Sequence, residues 1–169
     1  MLGTAQPDFF GGFYTELRYK GFALTADFNF AYGGKIYNAV RRQMESMKSF
    51  DNQSEAVNRR WRDQGDVTNV PQATYGDPLG NSAFSSRWLE DASYLRLQEL
   101  TFSYSFDKTF LRFFRSGTLY VTGENLFTWT EYSGLSPMAA YGYGEAYQGL
   151  DLSKVQQPSS VKFGVNLKF

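Results

Sequence analysis

The chain has 169 residues, of which 42% are hydrophobic, enough for one ordinary domain and too many for a disordered tract. Seventeen basic residues balance seventeen acidic ones, so the electrostatic footprint of a nucleic-acid binder is missing. With neither cysteine nor histidine, disulfides, thiolate metal sites, cysteine nucleophiles and the commonest general base are excluded together.

Aromatics are over-represented, with 16 Phe and 12 Tyr beside 16 Gly, a pairing typical of β architectures with aromatic girdles. No run approaches the ~18 apolar residues of a spanning helix. Met1-Leu2-Gly3-Thr4 carries neither the charged n-region nor the apolar h-region of a signal peptide. A membrane-barrel reading therefore expects the chain to be a piece of something longer.

In chain order, residues 12–20 place Phe13, Thr15, Leu17 and Tyr19 opposite Tyr14, Glu16, Arg18 and Lys20, a two-residue period that predicts a strand. Gly21 permits a tight turn, and residues 22–32 resume with Phe22, Leu24, Ala26, Phe28, Phe30 and Tyr32 opposite Thr25, Asp27 and Asn29. These two strands predict a hairpin. Ile36, Val40, Met44 and Met47 then fall at helical spacing, predicting a short amphipathic helix over 35–48, and Asn52 is placed to cap a second short helical segment reaching Trp61. Residues 63–86 are rich in Gly, Asp, Asn and Pro and lack periodicity.

A third strand is predicted over 94–106. Leu100, Phe102, Tyr104 and Phe106 share one face while Leu95 and Leu97 lie in the opposite phase, which puts a bulge or a membrane boundary near Gln98-Glu99. A compact link with Leu111 and Phe114 leads to a fourth strand over 118–129, with Leu119, Val121, Phe127 and Trp129 on one side and Tyr120, Thr122 and Glu124 on the other. Asn125 breaks the pattern. A long loop over 131–158 precedes a fifth strand over 159–169, in which Val161, Phe163, Val165, Leu167 and Phe169 face away from Lys162, Asn166 and Lys168.

The connections run short, very long, short, long. Outer-membrane barrels have short periplasmic turns and long extracellular loops, so both long connections are expected outside and Phe169 in the periplasm. Strands of about 9 to 13 residues also suit the ~9–11 needed to cross a bilayer at a tilt.

Six strings resemble the C-terminal part of the SusC/RagA-like TonB-dependent transporters of Bacteroidota: Gln6-Pro7-Asp8-Phe9-Phe10-Gly11-Gly12-Phe13, Tyr19-Lys20-Gly21-Phe22, Gly65-Asp66-Val67-Thr68-Asn69-Val70-Pro71, Ser86-Arg87-Trp88-Leu89-Glu90-Asp91-Ala92-Ser93-Tyr94-Leu95-Arg96-Leu97, Gly123-Glu124-Asn125-Leu126-Phe127-Thr128-Trp129 and Phe163-Gly164-Val165-Asn166-Leu167-Lys168-Phe169. The resemblance implies an all-β fold comprising the last five antiparallel strands of a 22-stranded transmembrane barrel, with long extracellular loops carrying short helices. It implies an outer-membrane importer of glycans or peptides. Its partners would be a SusD-like surface lipoprotein, the TonB complex through an N-terminal plug absent from this chain, the barrel-assembly machinery and outer-membrane lipid. Val165, Leu167 and Phe169 resemble the terminal signal read by the insertion machinery. No cofactor is implied.

Among candidate residues, Tyr132, Tyr141, Tyr143 and Tyr147 lie on a glycine-jointed loop, where an apolar ring with a polar tip suits amphipathic ligands; packing of the loop is the alternative. Trp129 fits an interfacial girdle. Glu16, Arg18, Asp27, Arg96 and Glu124 are expected to line the barrel lumen, since a wet interior permits charge and a lipid face does not. Asp63, Asp66 and Asp77 lack the EF-hand spacing and are read as turn-capping carboxylates rather than calcium ligands. Adjacent Glu90 and Asp91 point apart in a strand, which disfavours a glycosidase pair. The rival reading is a soluble all-β carbohydrate-binding module, whose aromatics would stack on sugars.

Overall fold

The alternating segments pair as their sequence pattern requires. In a computed structural model describing residues 2–107, 115–138 and 147–168, β1 (Phe9–Tyr19) and β2 (Phe22–Tyr32) form a hairpin from Phe9↔Tyr32 to Tyr19↔Phe22. Its two-residue turn, Lys20-Gly21, has positive φ at both positions, +44° and +86°, as a turn matching the strand twist needs. Any side chain at Gly21 would also strike the Ser105 carbonyl oxygen.

Three further long strands, β5 (Tyr94–Asp107), β6 (Ser116–Thr130) and β8 (Ser160–Lys168), complete an antiparallel sheet in the order β1-β2-β5-β6-β8. These bounds lie within about three residues of those expected from the period-two pattern. The link at 108–114, with Leu111, and Phe169 lie outside the described residues, as do Tyr141 and Tyr143.

Register decides which side chains share a face. Phe13↔Phe28, Leu24↔Phe102, Phe102↔Val121 and Val121↔Phe163 are cross-strand partners, so the apolar sets of all five strands merge into one surface. The phase conflict within β5 is resolved by a bulge: Glu99 pairs with Asp27 while Leu97 pairs with Phe28, leaving Gln98 as the extra residue and returning Leu95 and Leu97 to the apolar side. In β6 the same irregularity falls on Asn125 and Leu126. Asn125 sits at φ +54°, a conformation Asn tolerates better than most residues. Its side chain accepts from Arg96 Nη2 (2.7 Å) and donates to the Pro158 carbonyl (3.1 Å), and its own carbonyl accepts from Ser159 Oγ (2.7 Å).

The apolar surface is exposed. Leu17 is 66% and Phe163 83% accessible, and both clusters of buried hydrophobic residues among the described residues, Ile36-Ala92-Tyr132 and Met47-Val57-Val70, belong to the other unit. Rings on this surface pair across strands, Phe13 on Phe28 at 4.8 Å and Phe22 on Tyr104 at 4.5 Å, each contact contributing roughly 0.5–1.5 kcal/mol. Glu16, Arg18, Asp27, Arg96 and Glu124 share the opposite face, where Thr101 and Thr122 hydroxyls bond at 2.7 Å and Lys162 bonds Glu124 at 2.5 Å. Among the described residues no helix is long and apolar enough to cross a membrane.

The second unit comprises Met1–Gln6, Gly34–Ala92 and Tyr132–Val155, so the two long connections fold together. A three-stranded sheet organises it, with β3 (Lys35–Asn38) between β4 (Leu89–Asp91), antiparallel, and β7 (Leu150–Asp151), parallel. The helix expected over 35–48 is corrected here: residues 35–38 are strand, and only α1 (Ala39–Met44) is helical. Ile36 satisfies a helical and an extended pattern equally, and pairing with Glu90, distant in sequence, selects the strand. The second helical segment is a 3₁₀ turn, Glu55–Arg59, capped by Ser54 rather than Asn52.

Candidate functional site

Within the loop unit the string Arg87-Trp88-Leu89-Glu90-Asp91-Ala92 forms the centre of a polar network. Trp88 is fully buried, donates Nε1 to the Ala83 carbonyl at 3.1 Å, and lies under the guanidinium groups of Arg87 and Arg41, 4.6 and 5.8 Å from its ring centroid. Glu90 accepts from Arg41 Nη1 (3.1 Å), Asn38 Nδ2 (3.1 Å), Ser133 N (2.8 Å) and Ser133 Oγ (2.9 Å). Asp91 points elsewhere, to Lys35 at 2.9 Å. Burial would raise the Glu90 carboxyl, but these hydrogen bonds outweigh it and hold the group below the usual carboxylate range. Burial alone would lower Arg41, yet its bonds to Glu45 and Glu90 raise it, so the guanidinium stays charged.

Beside this network opens a cleft of about 620 Å³, lined by α1, the 54–59 turn and the 133–135 and 151–153 segments. Asn38 positions its wall: Oδ1 caps α1 by accepting from Arg41 N at 2.8 Å. Among the described residues the lining carries four charged groups, Arg41, Glu45, Arg59 and Asp151. Arg41 and Arg87 both reach the buried Glu45, at 2.9 and 3.5 Å.

Tyr132 requires a correction. It is only 5% exposed, packs with Ile36 and Ala92, and donates its hydroxyl to Asp151 Oδ2 at 2.5 Å, so it holds the loop together and offers no ring face to a ligand. Burial first, then the Asp151 bond, pushes its phenol far above the ordinary tyrosine range. Tyr147, 53% exposed, keeps a free surface. Val165 and Leu167 lie on the apolar face of β8. Asp66 accepts from the backbone of Arg62 and Asp63, and Asp77 from Asn81 and Ser82, the turn-capping arrangement read from sequence. Met47 packs with Val57 and Val70, whereas Met44 lines the cleft. Sequence reasoning weighed Glu90 and Asp91 only as a catalytic pair and missed the network; a Trp with Arg before it and Glu two residues after it was its local signal.

No family model matches the sequence. Over its whole length, however, the chain is 31% identical to TonB-dependent receptor P3 and 27% identical to TonB-dependent receptor P26 of Formosa agariphila, covering 17% and 18% of those proteins. It superposes on a chain of the RagAB peptide importer in the closed-closed state with TM-score 0.77 at 25% identity, covering 99% of this chain and 18% of that one. A second RagAB structure, described as a peptide transporter, gives TM-score 0.74 at 26% identity over 95% of this chain and 17% of its own.

Over its whole length the chain resembles the C-terminal part of the SusC/RagA-like TonB-dependent receptors. It is a protein of the outer membrane and spans less than a fifth of the length of the relatives it matches. As relatives, the receptors are named for reception and import rather than for catalysis. The apolar face is exposed among the described residues, and a soluble carbohydrate-binding module would have to bury it.

Proposed function

We propose that the chain forms the last five wall strands and two extracellular loops of a 22-stranded, TonB-dependent active importer for glycans or peptides. What supports the reading is the five-strand sheet with one apolar and one charged face, together with full-length similarity to the receptors. In it, Glu16, Arg18, Asp27, Arg96 and Glu124 line the lumen, and lipid covers Phe13, Phe28, Phe102, Val121 and Phe163. Both long connections are extracellular and work with a SusD-like lipoprotein lid, with Tyr141, Tyr143 and Tyr147 offered to the ligand. Val165, Leu167 and Phe169 serve the barrel-assembly machinery. Transport energy enters through a plug elsewhere in the receptor, which the TonB complex pulls.

The test replaces residues 138–148 of the full-length receptor by a short Gly-Ser link, leaving Tyr132, Ser133 and Asp151 in place. Uptake of labelled oligosaccharides and peptides, supplied in parallel, should be lost while receptor levels in the outer membrane hold. Unchanged uptake would remove that loop from the mechanism.

A further inference from the structure

We propose that the 620 Å³ cleft of the loop unit is a subsite for a peptide-type ligand segment, a ligand ammonium or guanidinium pairing with Asp151 and a ligand carboxylate with Arg59. The inference rests on the importer reading and narrows its substrate class.

Asp151 carries the weight. It is 3% exposed, lines the cleft and, among the described residues, accepts only neutral donors, Tyr132 Oη at 2.5 Å and Ser153 N at 2.9 Å. No basic side chain among the described residues pairs with it, whereas the buried Glu45 has Arg41 and Arg87 and the half-buried Glu90 has Arg41. A buried carboxylate without a counter-cation is costly, and a cation delivered through the cleft would offset that cost. Arg59 is the complement. It lies exposed at the cleft lining and has no ion pair among the described residues, so its guanidinium is available for a planar two-oxygen carboxylate. Val40, Met44, Ala56 and Leu135 supply apolar lining to the same cleft. A neutral sugar would leave both charges unanswered, and a peptide with free ends and basic side chains answers both.

The purified full-length receptor is offered a tryptic digest of casein and a maltodextrin ladder together, and the retained species are identified by mass spectrometry. The wild type should retain peptides in preference to maltodextrins, less so as salt rises from about 50 to about 500 mM. Asp151→Asn, which keeps an acceptor for Tyr132, should retain at least about tenfold less peptide; Arg59→Gln, an exposed change, should also retain less. Heat-modifiable migration of each variant shows that the barrel is folded. Undiminished retention by Asp151→Asn overturns the proposal, as does a wild type that prefers maltodextrins or retains neither probe. Failure of the importer reading has its own signature, the absence of receptor-dependent uptake of any probe into cells.

Discussion

Glu90 shows how one side chain couples the two long connections. It is reached by Asn38 and Arg41 from the first and Ser133 from the second, a convergence that no local sequence pattern encodes. Its depressed carboxyl has a definite sign: the stabilisation is fully present above the ordinary Glu value of 4.5 and is lost as pH falls below it. Asp77 behaves alike, burial raising its carboxyl but bonds from Ser82 and Asn81 lowering it below 3.8. Hydrogen exchange of residues 34–92, corrected for intrinsic rates, should therefore accelerate below about pH 4.5 in the full-length receptor. Glu90→Gln should cost about 2 kcal/mol at pH 7 by weakening charge-assisted bonds, and should flatten this acid response. An acid response identical in variant and wild type would contradict the role given to Glu90. Tyr132 illustrates the limit at this scale, because a loop tyrosine reads the same whether it packs inward or faces solvent.

Among the elements, the strands were legible because a period of two writes both faces into the sequence. Even the irregularities left marks: the phase break at Gln98 is a bulge, and Asn125 is its positive-φ counterpart in β6. The segment at 35–48 was not legible, since β3 depends on β4 and β7, partners far away in the chain. The face assignment makes a sharp prediction within β5. Phe102→Arg puts a charge on the surface shared with Leu24 and Val121 and should cost about 2–4 kcal/mol of insertion stability near the bilayer centre, while Ser103→Arg, on the charged side, should insert almost normally. Urea titration of the full-length receptor in lipid vesicles compares them. Equal stability of the two variants would refute the assignment.

For the molecule as a whole, two compact units arise from one chain because two kinds of sequence alternate along it: period-two segments that leave an apolar face open, and aperiodic connections that bury small clusters of their own. An open five-stranded sheet with edges at β1 and β8 is an aggregation hazard in water, which the neighbouring strands and lipid of the proposed barrel would relieve. The chain contains no cysteine, so single cysteines can be placed from 161 to 166 in a cysteine-free full-length receptor and labelled with an environment-sensitive fluorophore. With lipid-attached quenchers, positions 161, 163 and 165 should be quenched, and 162, 164 and 166 should respond only to aqueous quenchers. Aqueous quenching at all six positions, or the alternation reversed, would contradict lipid as the cover of the apolar face.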